Sequence, residues 1–501
     1  MSNSPLNEAK DNNGNINSFI STLWNRGFIV QEGKLNYVDI LKLASEGKVP
    51  SCFGNNTNAP YAILTLPPAP NQDPSEGQKP PKDYDPDNPN NYPANINVIL
   101  PGATFKLRPD EAIVLIGRTP PPAYYFSFRS YLGLTENKFE KDYSDAITTG
   151  NDYTGFYHMI FASLGDSLSN AGIWTANTPQ GSDGSPFNSS TIIISSADKG
   201  VNQQVRDALG VAGYSSQIMN DDNIPMELVN MGLEKGKDTL LFVMRAQLWA
   251  QESIGDAYIK NVHKFFKVLR ITPKIPFANQ NPWPIPTLKI RETDTTEYKV
   301  VPNVVDDLDH LREEIIKKYS SPQYKHIDLA TDKWSLEGYQ AILQDVNALG
   351  DNSDALYLKT NNFQLASDDD FVIIYGINHE QTGKAILGQA SFYGAELDNG
   401  VVGAFNTVEF SNSAAELFPD GYENAKYYYV FKMARKIVKD SIVAIPYSTG
   451  NPLGSAYGVD NNEDAFIGFR TYQDKETKVG PDLYDIIWDK AILFTKKKKF
   501  K

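Results

Sequence analysis

Two arginines sit where a charge has to be answered. Arg129 and Arg245 both fall in β-type segments and alternate with uncharged neighbours. In residues 124–131, Tyr124, Phe126 and Phe128 share one face of a strand, while Tyr125, Ser127, Arg129 and Tyr131 share the other. A guanidinium on an inward face needs a carboxylate or an anionic ligand. Arg129, Arg245, Tyr125 and Tyr131 are therefore the candidate lining of a pocket for a small molecule or anion, with a structural ion pair as the alternative. Among the five histidines no pair has the i,i+4 spacing of a helical metal site. His379 comes after a strong strand signal in YGINHEQTGK and stands beside Glu380, a setting that suits a general base or metal ligand, or a turn histidine bonded to backbone. Asp460, Asn462 and Asp464 give the D-x-N-x-D opening of a calcium loop, but Ala465 replaces its glycine and Thr471 its bidentate glutamate. Calcium is the one cofactor with any support, and an ordinary polar hairpin explains the same residues. Cys52 has no cysteine partner, so neither a disulfide nor a thiolate zinc site is available within the chain; it reads as a small buried apolar residue.

The string GDSLSNAG, residues 165–172, resembles the nucleophile block of the GDSL esterases and lipases. The resemblance would make Ser167 a nucleophile at a strand-to-helix junction and the chain a serine hydrolase. Its context points elsewhere. Phe156, Tyr157, Ile160, Phe161, Leu164 and Leu168 recur at helical spacing, which predicts a helix opened by Asp152, closed by Gly172, and holding Ser167 in its last turns. The GND of residues 150–152 precedes the serine instead of coming after it. Asp307 and His310, which match the family's closing Asp-x-x-His, fall on a charged amphipathic helix.

The elements that must position these residues belong to a chain of 501 residues, 41 % hydrophobic and 12 % aromatic, which is enough for more than one core. A net charge of −14 argues against nucleic-acid binding, and the only basic cluster is Lys496 to Lys499 with Lys501. No apolar run is long enough for a membrane span, and the polar start has no signal core. Cytoplasmic residence is the default expectation, or secretion if a leader was removed. Oligomeric state is not readable.

The pattern predicts an α+β fold: antiparallel β-sheets, sandwich-like, in two halves with peripheral helices. Residues 1–66 read as a helical segment, with a helix over 36–46 capped by Asn36. Residues 67–93 form a loop or linker crowded with Pro, Asn and Asp. A first β-rich domain with helices covers 94–272, a Pro-rich linker 273–302, and a second domain 303–501, two helices and then strands. Asn303 and Ser335 are the expected caps of those helices.

A faint repeat links the halves: DEAIVLIG (110–117) parallels DDFVIIYG (369–376), and YFSFRSY (125–131) parallels FIGFRTY (466–472), which would match Arg129 with Arg470. Strands that merely look alike are the plainer explanation. With SCFGNN, DEAIVLIGRTPPP, YFSFRSYL, ADKGVNQQVRDAL, DFVIIYGINHEQTGKA and FRTYQDKETKVGPD, the chain resembles a widespread, functionally uncharacterised family of soluble proteins. That resemblance implies no activity and transfers no catalytic residue. Three function classes stand: a pocket protein for a small molecule or anion, enzymatic or not; a GDSL-like esterase using Ser167; and a non-catalytic structural or assembly protein.

Overall fold

The computed structural model describes residues 13–49, 51–72, 102–137, 157–320, 322–436 and 442–497. The fold is α+β, with large, mostly antiparallel sheets. Strands β1 (Phe28–Val38), β2 (Tyr61–Thr65), β3 (Ala112–Arg118), β4 (Ala123–Glu136), β5 (Tyr157–Ser163), β6 (Leu168–Ser169), β7 (Ser190–Ser196), β8 (Met219–Asn223), β9 (Leu240–Trp249) and β10 (Phe266–Pro273) form one folded sheet. The fold line crosses β1. Residues 28–33 pair with β10 and residues 34–38 with β2. Gly33 sits at this crossing, where a Cβ would come within 2.6 Å of the Thr65 carbonyl oxygen. The inner faces of the two wings meet in a core that includes Leu115, Ile193 and Val268 on one side and Phe126, Phe128 and Met244 on the other. Helices Asn13–Asn25 and Lys199–Val211 cover the outer face of the β3 wing through Phe19, Leu23, Val201 and Val205.

The rest of the chain builds the same object again. Its strands are β11 (Tyr324–Leu329), β12 (Thr331–Lys333), β13 (Ala355–Thr360), β14 (Phe363–Gln364), β15 (Phe371–Ile377), β16 (Leu387–Gly394), β17 (Asn399–Phe405), β18 (Tyr428–Ala434), β19 (Ile442–Ala444), β20 (Asp464–Tyr472) and β21 (Lys490–Lys496). The order β1-β10-β3-β7-β8 of the first wing is matched by β11-β21-β15-β18-β19, and β1-β2-β9-β4-β5 of the other by β12-β13-β20-β16-β17. Even the parallel pair β7·β8 has its counterpart in β18·β19. Val372, Ile374 and Phe431 face Phe392, Ile467 and Phe469 across this second core, and the helix Val304–Tyr319 covers the outside through Leu308, Leu311 and Ile315. We call β1–β10 and β11–β21 the first and second repeats.

Between the repeats, the outer faces of the β9 and β20 wings press together. Tyr125 lies against Tyr472 with ring centroids 4.8 Å apart, and Gln247 Nε2 donates to Gln389 Oε1 at 2.8 Å. The layers thus run helix, sheet, sheet, sheet, sheet, helix. The helix Gly338–Gln344 crosses over, and its Ala341 joins the first repeat's core.

Several expectations need correction. Residues 36–46 are not one helix: β1 runs to Val38, and a short helix Ile40–Ser45 starts at Asp39, whose carboxylate accepts from the Lys42 N–H at 3.0 Å. The stretch before Ser167 is strand β5. It is buried on both faces, with Ile160 and Ala162 in the main core and Tyr157 and Met159 in a second cluster, so period 2 is erased from its hydrophobicity. The helix expected from Ser335 begins at Gly338 and stops at Asp345, whose φ is +58°, leaving Leu343 exposed. Asn303 is itself left-handed and makes no side-chain cap. Residues 67–72 carry no regular structure, but Ala69 and Gln72 are buried; residues 73–93 lie outside the described set. The expected linker 273–302 holds one short helix, Glu297–Val300, and bonds to both repeats, through Asn281 with Asp198 and through Thr293 with Asp485. The first sequence repeat holds, since β3 and β15 are counterparts. The second does not: YFSFRSY lies on β4 and FIGFRTY on β20, whereas the counterpart of β20 is β9. Arg470 therefore corresponds to Arg245.

Candidate functional site

The pressed faces carry one arginine each. Arg245 on β9 stands opposite Tyr61 on β2 and Ser127 on β4; Arg470 on β20 stands opposite Tyr357 on β13 and Gln389 on β16. Side chains two and four residues apart along a strand share a face. Tyr131 is thus placed, four on from Ser127, for its hydroxyl to accept from Arg245 Nη2 at 2.5 Å. Tyr393, four on from Gln389, accepts from Arg470 Nη1 in the same way. The guanidinium carbon of Arg245 lies 6.0 Å from the Tyr61 ring centre and 5.7 Å from that of Tyr131; that of Arg470 lies 5.5 Å from Tyr357 and 5.4 Å from Tyr393.

The remaining hydrogen bond of each arginine goes to a carbonyl supplied by the other repeat. Arg245 Nη2 donates to the Gly350 oxygen at 3.2 Å, and Arg470 Nη2 donates to the Gly54 oxygen. The two loops are alike. Phe53 and Gly54 have φ of +52° and +61°, Leu349 and Gly350 +55° and +68°. Each hangs on the opposite repeat: Cys52 and Gly54 donate to the Leu397 and Asp398 carbonyls, Ala348 and Gly350 to those of Ile160 and Phe161. The loops are exchanged, so each repeat caps its neighbour's arginine.

Both guanidiniums are buried, Arg245 at 8 % and Arg470 at 5 % exposure, and among the described residues no carboxylate lies within ion-pair distance of either. Arginine stays protonated in a protein interior. The carboxylates nearby are occupied. Asp351 accepts from the Ser163 N–H and hydroxyl, both at 2.7 Å, and from the Gly338 N–H. Asp354 accepts from the Tyr125 hydroxyl at 2.9 Å, and burial pushes its pKa up to about 7. Burial also raises the Tyr131 and Tyr357 hydroxyls, which remain neutral, and brings that of Tyr393 up to about 12. Arg245, Arg470, Tyr61 and Tyr357 open onto one cavity of about 120 Å³. Its other walls are mostly apolar and include Val38, Ile63, Leu241 and Val243.

The sequence candidates are scattered by this geometry. Arg245 lines the cavity, and Tyr131 bonds to it from behind the cavity wall. Arg129 does not join them: its Nη1 pairs with Asp222 Oδ1 at 2.8 Å, and the guanidinium also reaches the Asp166 and Asn223 carbonyls. Tyr125 packs between the repeats, bonded to Asp354 and Asn352. Ser167 lies beyond the end of a strand and donates to Asn352 Oδ1 at 3.0 Å; among the described residues no histidine is seen bonded to it. The expected helix around Ser167 is absent, and the residues directly after the serine form strand β6. His310 bonds the Leu417 carbonyl. The GND of residues 150–152 lies outside the described residues. His379 is buried between two carboxylates, Nδ1 to Glu297 at 2.7 Å and Nε2 to Asp489 at 3.3 Å, so both ring nitrogens are engaged. Asp460 accepts from the backbone of Ser448 and Thr449, Asn462 turns with φ +64°, and Asp464 accepts from Gln364. Among the described residues no group of three or more His, Cys, Asp or Glu side chains is arranged to hold a metal ion. Cys52 lines the cavity, and burial raises its thiol far above the range of a reactive thiolate.

Sequence reasoning missed Arg470 as a site residue, together with Tyr61, Tyr357, Tyr393 and Trp334. The signal was present. FVMRAQ (242–247) aligned with IGFRTY (467–472), and CFGNN (52–56) with ALGDN (348–352), mark both arginines and both loops.

No family model matches the chain, and no curated protein matches it. Solved structures that it resembles include an uncharacterised protein from Burkholderia cenocepacia, 10 % identical, with a TM-score of 0.35 over 96 % of this chain and 86 % of that one. Another is a protein from Vibrio parahaemolyticus, 11 % identical, with a TM-score of 0.31 over 79 % of this chain and 88 % of that one. Neither carries an activity to this chain. Among the described residues no helix is long and apolar enough to cross a membrane.

Proposed function

We propose that the protein binds a small organic anion in the cavity between its two repeats, with Arg245 and Arg470 as the charged grip. One observation carries this reading: two permanently charged side chains are buried at the same cavity and meet only neutral acceptors. A buried charge without a counter-charge costs several kcal/mol, and in this protein Arg129 and Arg270 are paired with Asp222 and Glu111. An anion entering the cavity would supply the missing charge through hydrogen bonds that are stronger than those to neutral oxygens. The reading assigns binding and no reaction.

The test is thermal denaturation of the intact chain with small carboxylates, sulfate and phosphate at millimolar concentration. A ligand at 100 times its Kd stabilises by about 2.7 kcal/mol, so the melting temperature rises with concentration. Arg245→Met and Arg470→Met should each weaken the effect on the order of 30-fold or more, since removing one partner of a buried charge contact costs about 2–5 kcal/mol. If no anion shifts the transition, the arginines serve the fold alone and the proposal is wrong.

A further inference from the structure

The two arginines are matched, but the space beside them is not. Two residues before Arg245 stands Val243, and two before Arg470 stands Gly468; two further back are Leu241 and Phe466. Val38 pairs with Tyr61 across β1 and β2, and at the equivalent place Trp334 bonds the Tyr357 carbonyl at 3.1 Å. Trp334 therefore corresponds to Val38. Its indole packs edge-on against Tyr393 at 5.0 Å and Phe466 at 5.1 Å, and Tyr393 and Phe466 stack with centroids 4.9 Å apart. Gly468 is what admits it: a Cβ there would come within 2.7 Å of the indole. Over Arg470 the lobe is thus plugged. Over Arg245 the corresponding lobe is open and walled by Val38, Ile63, Leu241, Val243 and Phe161.

Resting on the anion reading above, we infer that the ligand is a small monocarboxylate with one compact apolar body. Its head lies at the Arg245 and Arg470 end, and its body fills the lobe against Val38, Ile63 and Val243. The carboxylate's two oxygens suit a planar guanidinium fork. The mostly apolar walls beyond it penalise a second charge. The cavity of about 120 Å³ is of the order of the roughly 150 Å³ apolar cavity that takes up benzene, which sets the body near one ring or a six-carbon chain. Trp334 and Phe466 are specificity-determining: they remove the second lobe that a symmetrical diacid or a longer acid would use.

Calorimetric titration of the intact chain with sodium benzoate, hexanoate, adipate and phosphate tests this. The expected result is binding of benzoate or hexanoate, one per chain, at least tenfold tighter than adipate or phosphate. Val38→Trp, which copies the plug into the open lobe, should weaken benzoate at least tenfold with the circular dichroism spectrum unchanged; if that variant does not fold, Ile63→Phe serves the same purpose. Adipate or phosphate binding as tightly as benzoate overturns the apolar-body inference and leaves the anion reading standing. Benzoate binding that is lost in Arg245→Met but indifferent to lobe filling does the same. Failure of all four anions to bind removes both.

Discussion

Arg129 and Arg245 show how little a residue's type and burial say until its neighbours are known. Both alternate with uncharged residues on paired strands, β4 and β9, and both are buried. Asp222 answers the first, while also accepting from the Ser195 hydroxyl at 2.6 Å; only hydroxyl and carbonyl oxygens answer the second. The sequence reached the need for a partner but not its identity, because Asp222 arrives on β8 from 93 positions away (222 − 129) in the chain. Asp222→Asn should therefore destabilise the fold by about 3–5 kcal/mol, the cost of leaving a buried guanidinium unpaired, without altering anion affinity; urea denaturation and titration separate the two effects. His379 makes the opposite point. As a residue in a polar turn it suggested catalysis, yet it is a buried pin between Glu297 and Asp489. Burial alone would lower its pKa, but the two carboxylates outweigh it and bring it up to about 10. A folded-state pKa above the unfolded value near 6.5 means that the imidazolium's contribution is complete below about pH 6.5 and is lost as pH rises toward 10. Stability measured by urea across that window should fall with pH, and His379→Gln should flatten the fall. An unchanged slope in the variant would show that other groups set it.

At the scale of elements, legibility depended on residue type more than on exposure, since β3 and β15 are buried on both faces. Strands β3, β15, β20 and β21 announced themselves as β-branched and aromatic runs bounded by turns. Strand β5 did not: it too is buried on both faces, but Ile160 is its one β-branched residue, and its apolar spacings also fit a helix. The loops were the larger loss. SCFGNN looked like a turn, but nothing local says that it hangs on the edge of the other repeat and offers a carbonyl to Arg470. Its counterpart at residues 348–352 looked like the end of a helix that actually stops at Asp345. What they share is a pair of left-handed residues, and the second of each pair is glycine. At Gly350 a Cβ would come within 2.7 Å of the Phe161 ring, and φ is +68°. Gly350→Ala should thus cost on the order of 2 kcal/mol from the left-handed backbone together with crowding. It should weaken anion binding as well, because the carbonyl that orients Arg245 moves with the loop. A variant with wild-type affinity would mean that Arg245 holds its place without the loop.

Over the whole molecule, the repeated topology explains why the site lies where it does. Two copies of one folded sheet meet by the faces that carry the arginines, so each position on that face appears twice across the contact. Arg245 with Arg470, Tyr131 with Tyr393, and Tyr61 with Tyr357 are such pairs. The DEAIVLIG and DDFVIIYG match reported the structural repeat, whereas the second match joined strands that are not counterparts, because β4 and β20 both carry Phe-Arg, at 128–129 and 469–470, while β9 carries Met244 before Arg245. The exchanged loops also bear on how the halves move. Two domains joined by a modest polar contact ordinarily shift relative to each other. Here Gly54 and Gly350 each cap an arginine of the other repeat, Ala341 is built into the other repeat's core, and Gln247, Asn56, Gln389 and Tyr472 form one hydrogen-bonded set across the contact. Separating the repeats would leave both guanidiniums without those carbonyls and expose the Tyr125–Tyr472 stack, so neither repeat is complete alone. The chain should then unfold in a single transition despite its two cores. Far-UV circular dichroism and tryptophan fluorescence, recorded through the same urea titration, should trace coincident curves, with Trp334 reporting the contact between the repeats. Two resolved transitions, the first changing fluorescence while the sheets persist, would show that the contact opens on its own and that the cavity is a hinge instead of a fixed clamp.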